Sequence, residues 1–237
     1  MRDIKDLLAP DGTLRTALNF GNPVLAKRHG GTNEPYGVSV ELARELARRL
    51  GLDLEFVSYD AAGHVFADVD NDVWDLAFMA IDPKRSERVS FTQPYVLIEG
   101  TYMVRSDSSL QDVDDVDQDG IRVAVGKGAA YDLFLSRHLG KAELMRAPTS
   151  ATAIDLFVEQ GLDAVAGVRQ PLTAYASAHP GFRVMARRFT AIEQAMAVPR
   201  KSEPVRAALD RYIRELKDSG FVADALARSG ETATVAL

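Results

Sequence analysis

Between residues 14 and 82 short apolar runs alternate with an amphipathic stretch, and no other feature constrains the fold of this chain as strongly. Residues 14–18 read as a strand ending in the turn Gly21-Asn22-Pro23. In residues 38–50, Leu42, Leu46 and Leu50 recur at i, i+4 and i+8 with Ala43 and Ala47 beside them. Glu41, Arg44, Glu45, Arg48 and Arg49 occupy the other face. That period is helical, and Gly51 stops it. Residues 54–59 form the next strand, a weaker helix runs through Val65 and Phe66, and a further strand covers 76–81. A strand–helix–strand–helix–strand order implies a parallel sheet with helices on both faces.

The same order begins again after a break. Residues 95–104 are strand-like and lead into an Asp-rich linker at 106–120. A strand at 121–125, helices at 129–139 and 150–160 and a strand at 162–168 follow. Two α/β lobes are therefore expected, residues 1–98 plus 197–237 as the first and 99–196 as the second. The closing helices, 204–219 and 222–228, are expected to pack back on the first. At 237 residues and 46% hydrophobic content the chain can build two cores of this size.

Composition excludes several kinds of chemistry. A net charge of −6 and the lack of a basic patch argue against a nucleic-acid or anionic-membrane partner. Without cysteine there is no disulfide, thiolate nucleophile or Cys-based metal site. No run reaches the ~18–20 apolar residues of a membrane helix. The first eight residues lack the uninterrupted apolar core of a secretory signal. The expected compartment is the periplasm if a signal has been removed, and the cytoplasm otherwise.

The strand at 76–81 stops at a turn built on Asp82 and Pro83, and the cations Lys84 and Arg85 come next. Apolar strands ending in such a turn are where α/β proteins place ligands. An Arg there can grip a carboxylate or phosphate through two parallel N–H···O bonds, which a Lys cannot. The plainer alternative puts Arg85 and Arg88 on a solvated helix start. Gly126-Lys127-Gly128 also follows a strand and opens a helix. A dinucleotide fingerprint would need a third Gly where Tyr131 stands, so no nucleotide cofactor is expected. Free N–H groups of Gly128, Ala129 and Ala130 would still suit an anionic ligand group.

Asp115, Asp117 and Asp119 followed by Gly120 open like a calcium loop, but Gly126 stands where the bidentate Glu is required. A solvated acidic stretch is the better reading. His29, His64, His138 and His179 are scattered without metal-site spacing, and no Gly-x-Ser-x-Gly elbow marks a serine nucleophile. Glu99 and Glu193 lie inside apolar runs, where a carboxylate either points to solvent or has a buried partner.

Two stretches carry a family resemblance. Residues 37–46 (Gly-Val-Ser-Val-Glu-Leu-Ala-Arg-Glu-Leu) are similar to a Gly-Phe-Asp-Val-Asp-Leu-Ala helix entry. The second is Asp75 with Asp82-Pro83-Lys84-Arg85 and 89–95 (Val-Ser-Phe-Thr-Gln-Pro-Tyr). Leu162-Asp163-Ala164-Val165 and Leu216-Lys217-Asp218-Ser219-Gly220 fit as well. Over nearly its whole length the chain resembles the family 3 extracellular solute-binding proteins, receptors of bacterial ABC importers. The resemblance implies a type II periplasmic-binding-protein-like α/β fold, each lobe a parallel-type sheet flanked by helices, with a two-strand hinge. It implies a monomer without cofactor or metal, with no chemistry of its own. Such a protein encloses a small carboxylate or amino-acid-like ligand between its lobes and presents it to an ABC permease. Arg85 matches the family's carboxylate-clamping Arg, and Asn19, Phe20 and Asn22 match the loop lining the cleft. Ala80 and Asp82 lie on the turn leading to the Arg, and Gly128 to Ala130 match the second-lobe loop that meets the ligand carboxylate. Arg169 and Glu193 complete the candidate ligand contacts.

The departures narrow the ligand. The family places an Asp where Val168 stands, to pair with an α-ammonium, and a covering aromatic where Ala61-Ala62-Gly63 stand. The turn before Asp82 is about two residues shorter than usual. An unpaired ammonium in a closed site costs several kcal/mol, on the order of 2–7. An ordinary α-amino acid is therefore disfavoured unless Glu193 or Asp82 replaces the Asp. The competing readings are a dehydratase acting on prephenate or arogenate, with Glu193 or Glu99 as general acid, and a sensory domain.

Overall fold

Local sequence accounts for most of the elements in the computed structural model, which describes residues 4–199 and 203–237. The first three residues of the N-terminal segment discussed above lie outside that range. In chain order the elements are α1 (Ile4–Leu8), β1 (Thr13–Asn19), β2 (Lys27–Arg28), β3 (Pro35–Tyr36), α2 (Val38–Leu50), β4 (Asp53–Tyr59), α3 (Ala62–Ala67), β5 (Leu76–Ala80), α4 (Pro83–Ser86), β6 (Val89–Phe91) and β7 (Val96–Arg105). There follow β8 (Arg122–Gly126), α5 (Ala130–His138), β9 (Glu143–Ala147), α6 (Ser150–Glu159), β10 (Ala164–Val168), α7 (Arg169–Ala178), β11 (Phe182–Val184), β12 (Thr190–Pro199), α8 (Glu203–Asp218), α9 (Phe221–Arg228) and β13 (Thr234–Val235). The described chain divides into two compact units, one reaching to Leu97 and resuming at Glu193, the other running from Ile98 to Ile192. The chain passes between them twice, inside β7 and inside β12.

In the first unit β4, β1 and β5 are parallel, with Asn19 opposite Tyr59 and Thr16 opposite Leu76. The unit-1 part of β12 then adds antiparallel to β5, with Gln194 opposite Ala80, and β6 pairs along its end. The parallel order expected from the alternation therefore holds for three strands, and the returning chain makes the sheet mixed. One face is covered by α2, whose Leu42, Ala43, Leu46 and Ala47 are buried while Arg44, Arg48 and Arg49 stay outside. Gly51 ends it in the left-handed conformation, donating its N–H to the Arg48 carbonyl. On the other face Val65, Val69, Trp74, Met79 and Val89 make a core. Helices α8 and α9 belong to this unit; Tyr212 of α8 donates its hydroxyl to the Leu42 carbonyl of α2 at 2.7 Å.

In the second unit β9, β8 and β10 are parallel, and the unit-2 part of β7 adds antiparallel to β10 and to β11. Its core gathers around Phe157, with Met103, Ala124, Ala153, Val165 and Leu172. The sequence reading passes over α7 and β9. Pro171 in the first turn of α7 is tolerated there because that N–H has no helical acceptor, yet it interrupts the apolar period. The strand β9 is only half-buried, so its alternation is weak. The acidic stretch expected as a linker is folded onto this unit. Asp117 accepts N–H bonds from Gly140, Lys141 and Ala142 at 2.8–3.1 Å, and Asp112 and Asp115 form a capping box.

Candidate functional site

The candidate residues of the first unit sit at the carboxyl ends of its parallel strands. β1 ends at Asn19 and β5 at Ala80; the loop after β1 holds Phe20 and Asn22, and β5 leads through Asp82 into α4, which carries Arg85. The first loop lies tight against the end of β4. A Cβ on Gly21 would stand 2.2 Å from the Asp60 carbonyl oxygen, so only Gly fits. Asn19 Oδ1 accepts from the Gly21 N–H at 3.0 Å and Asn22 Oδ1 from the Val24 N–H at 3.3 Å. Both side chains thus shape the loop with their oxygens. Phe20 lies under the Arg28 guanidinium, 4.0 Å from ring centroid to Cζ.

Arg85 and Arg88 follow the same turn and meet different environments. Arg88, just past the end of α4, is half-buried, pairs with Asp70 and lies 5.1 Å from the Phe66 ring. Arg85 is only 1% exposed, and its Nη1 donates to the Ala80 carbonyl at 3.0 Å. Burial pushes its guanidinium down to about 10 against the favourable charge of Asp82, so it remains a cation at neutral pH. Asp82, 3% exposed, caps α4 by accepting from the Lys84 N–H at 2.9 Å. The turn therefore buries one positive charge and one negative charge side by side. Glu193 is exposed, and what joins it to this strand end is its backbone carbonyl, which accepts from the Ile81 N–H at 2.8 Å.

The second unit repeats the arrangement with β9, β8 and β10, whose carboxyl ends feed α6, α5 and α7. Gly126 is required here too, because a Cβ would meet the Ser150 nitrogen at 2.8 Å. Two of the three N–H groups expected to be free are engaged within the protein. Gly128 donates to Asp132 Oδ2 at 2.8 Å and Ala129 to the Gly126 carbonyl at 3.1 Å. The expectation narrows to Ala130, whose N–H meets no acceptor among the described residues. The acceptor for Gly128 is Asp132, a buried carboxylate in the first turn of α5 that folds back on the loop and also accepts from Arg146 Nε at 3.0 Å, so Gly128 and Arg146 both donate to it. Replacing Asp132 by alanine leaves those donors without their acceptor, and a stability loss of roughly 1–3 kcal/mol is expected in urea unfolding. A loss below 0.5 kcal/mol, on the order of an ordinary surface change, would show that the carboxylate does not hold the loop.

Arg169 stands where a ligand contact was expected but is joined to its own unit. Its Nε donates to Glu99 Oε2 at 2.5 Å, and its two Nη groups donate to the Met185 and Ala186 carbonyls at 2.9 and 3.0 Å. A planar guanidinium seeks several acceptors in one fork, and these three satisfy it. Arg188 Nη1 reaches the other oxygen of Glu99 at 3.1 Å. The hydrogen bond from Arg169, with the second from Arg188, holds the Glu99 carboxyl below its usual range. That is the opposite of what a general acid needs. Beside Arg169, Val168 ends β10 as a buried apolar residue.

Sequence reasoning missed Asp132 and Gln170. Asp132 was legible in principle, since an Asp four residues after a loop Gly can return to its N–H. Gln170 Oε1 is a buried atom that accepts no hydrogen bond among the described residues, which no local pattern announces. A pocket of about 260 Å³ lies elsewhere, at the N-terminal edge of β1 and β5, lined by Leu8, Arg15, Trp74, Asp75 and Pro199 among others. None of the expected site residues lines it.

Comparison with known proteins bears on the family and the fold. Residues 22–229 match the model of the bacterial extracellular solute-binding proteins, family 3. The chain is 22% identical over 199 residues to the amino-acid-binding protein AabA of Dichelobacter nodosus, covering 82% of this chain and 78% of that one. It superposes with a TM-score of 0.79 on the amino acid ABC transporter substrate-binding protein AbpA of Streptococcus pneumoniae bound to L-arginine. That pair is 25% identical, covering 96% of this chain and 100% of the other. The ancestral amino-acid-binding protein AncCDT-1, a precursor of cyclohexadienyl dehydratase, gives a TM-score of 0.78 at 22% identity, covering 95% and 99%. The fold is that of the type II periplasmic binding proteins. With the family model spanning most of its length, this chain belongs to the bacterial extracellular solute-binding proteins, family 3.

Proposed function

We propose that the ligand of this receptor is a small carboxylate without an α-ammonium group, held at Arg85 and at the Ala130 N–H, with an ABC permease as partner and the periplasm as compartment. The protein works as a monomer and performs no chemistry of its own. The observation that supports this most is Arg85, a cation kept in a 1%-exposed position at the end of β5. A buried guanidinium favours an anionic ligand, and a carboxylate matches its two parallel donors. Asn19, Phe20 and Asn22 on the adjoining loop, and Ala80 and Asp82 on the turn itself, are the remaining first-unit contacts of this reading.

Relatives of known ligand point to amino acids: AabA is named as amino-acid-binding and AbpA was crystallised with L-arginine. The second unit of this chain argues for a different substituent. Val168 is apolar, and the nearby Glu99 carboxylate already pairs with Arg169 and Arg188. In a thermal-shift screen, 2-hydroxy, 2-oxo or dicarboxylic acids should raise the melting temperature more than L-arginine, L-histidine or L-glutamine. At a hundredfold excess over Kd a ligand adds about 2.7 kcal/mol. For a chain of this size that is a shift of roughly 5–10 °C. A shift of that size with L-arginine would overturn the choice of ligand, and silence across every carboxylate would overturn the receptor reading.

The dehydratase reading draws on the likeness to AncCDT-1. Against it stand an exposed Glu193 and a Glu99 whose proton is held off by two arginines. Incubation with prephenate and with arogenate, followed by product absorbance, tests it directly.

A further inference from the structure

Gln170 carries a polar atom that the fold leaves unanswered. Its Oε1 is buried, yet no N–H or O–H of the described residues donates to it. Buried amide oxygens are nearly always paired, so an orphan of this kind marks a place where something else donates. The position is a telling one. Val165 lies opposite Ala124 across the parallel pair β10 and β8, which sets residue 168 level with residue 127. Gln170, two residues further on in the first turn of α7, therefore enters at the same strand-end edge as the loop that presents Ala130.

The chemistry of that edge narrows the donor. An amide oxygen is a neutral acceptor. Its neighbour Val168 brings no charge, and the Glu99 carboxylate is matched by two guanidinium groups. An ammonium would find no counter-charge there, whereas a hydroxyl needs none and gains from a buried acceptor that would otherwise stay unpaired.

Resting on the carboxylate-receptor reading above, we propose that Gln170 is a specificity-determining residue whose Oε1 accepts the hydroxyl of a 2-hydroxy carboxylate ligand. Its effect is selection against the 2-oxo analogue, which has no hydrogen to give and would leave the oxygen unanswered. Sites that hydrogen-bond a substrate hydroxyl discriminate strongly against analogues lacking it, by up to ~10⁴-fold or more when fully buried.

The test uses two isosteric sets as probes: L-lactate, pyruvate and L-alanine, and L-2-hydroxyglutarate, 2-oxoglutarate and L-glutamate. Calorimetric affinities are measured for the intact chain and for Gln170→Leu. In the better-binding set the hydroxy acid should exceed its oxo partner by at least ~10-fold, the effect of one buried hydrogen bond. Gln170→Leu should bring that ratio to within about twofold while leaving oxo-acid affinity within about threefold, because only the hydroxyl contact is removed. Gln170→Glu, which keeps the shape and adds a charge, should shift preference toward the amino acid of the set. A hydroxy-to-oxo ratio unchanged in Gln170→Leu overturns the role of Gln170 and leaves the receptor reading standing. A preference for the oxo acid means that Nε2 faces the ligand, and overturns it too. If Gln170→Leu does not fold, Gln170→Glu decides: no gain for the amino acid refutes the assignment. No binding by any probe, together with a silent carboxylate screen, overturns the receptor reading and this inference with it.

Discussion

Arg85→Ala is expected to abolish binding of every carboxylate ligand that the intact protein takes. The guanidinium is 1% exposed, positively charged at neutral pH, and fixed by the Ala80 carbonyl with Asp82 beside it. Truncating one member of a buried, hydrogen-bonded charge pair costs ~2–5 kcal/mol. At about 1.4 kcal/mol per decade this is a loss of roughly 30- to 3,000-fold. Arg85→Lys should restore only part of it, since an ammonium keeps the charge and loses the two parallel donors. The measurement is calorimetry with the best acid from the screen, and unchanged affinity in Arg85→Ala refutes the clamp. The alanine variant also leaves the 3%-exposed Asp82 without its neighbouring cation. Its melting curve should therefore be recorded alongside, so that lost binding is read only from folded protein.

The largest stability effect is expected from Phe157→Ala. Phe157 is fully buried in the second unit and packs against Phe182 with ring centroids 5.5 Å apart. The Arg105 guanidinium lies 5.7 Å from the same ring. Removing a buried Phe leaves a cavity and typically costs ~3–5 kcal/mol. Each unit has its own core, so the cost falls on the second unit first. The single tryptophan, Trp74, sits in the core of the first unit and supplies a separate probe. In urea, the far-UV circular dichroism transition of Phe157→Ala should begin well below the Trp74 fluorescence transition. Superposed transitions would show that the two cores unfold as one cooperative body.

The elements most legible in the sequence are those whose signal repeats within a few residues. The helix α2 and the strands β1, β4 and β5 follow from apolar period, a stopping Gly and polar turns. Legibility falls where a strand is half-buried, as in β9, or where a Pro in the first turn hides a helix, as in α7. The candidate site divides along the same line. That a cation follows the β5 turn is plain from residues 76–85, but which of two arginines is buried is not. Arg85 and Arg88 are three residues apart behind one turn; only the packing around them sends one inward and leaves the other with Asp70.

Arg169 shows the limit most clearly. Its partner Glu99 is 70 residues away in sequence, and the Met185 and Ala186 carbonyls lie on a further segment. No spacing rule joins these three places. By itself the sequence determined the strand and helix order, the strand-end position of Arg85 and the apolar residue at 168, because each follows from local period or identity. The tertiary structure alone decided which polar groups are already matched inside the protein. It engages the Gly128 and Ala129 amides and the Arg169 fork, and leaves Gln170 Oε1 buried without a donor among the described residues. The physical reason is that a hydrogen bond is satisfied in space, and its partners are brought together by strands that pair far along the chain.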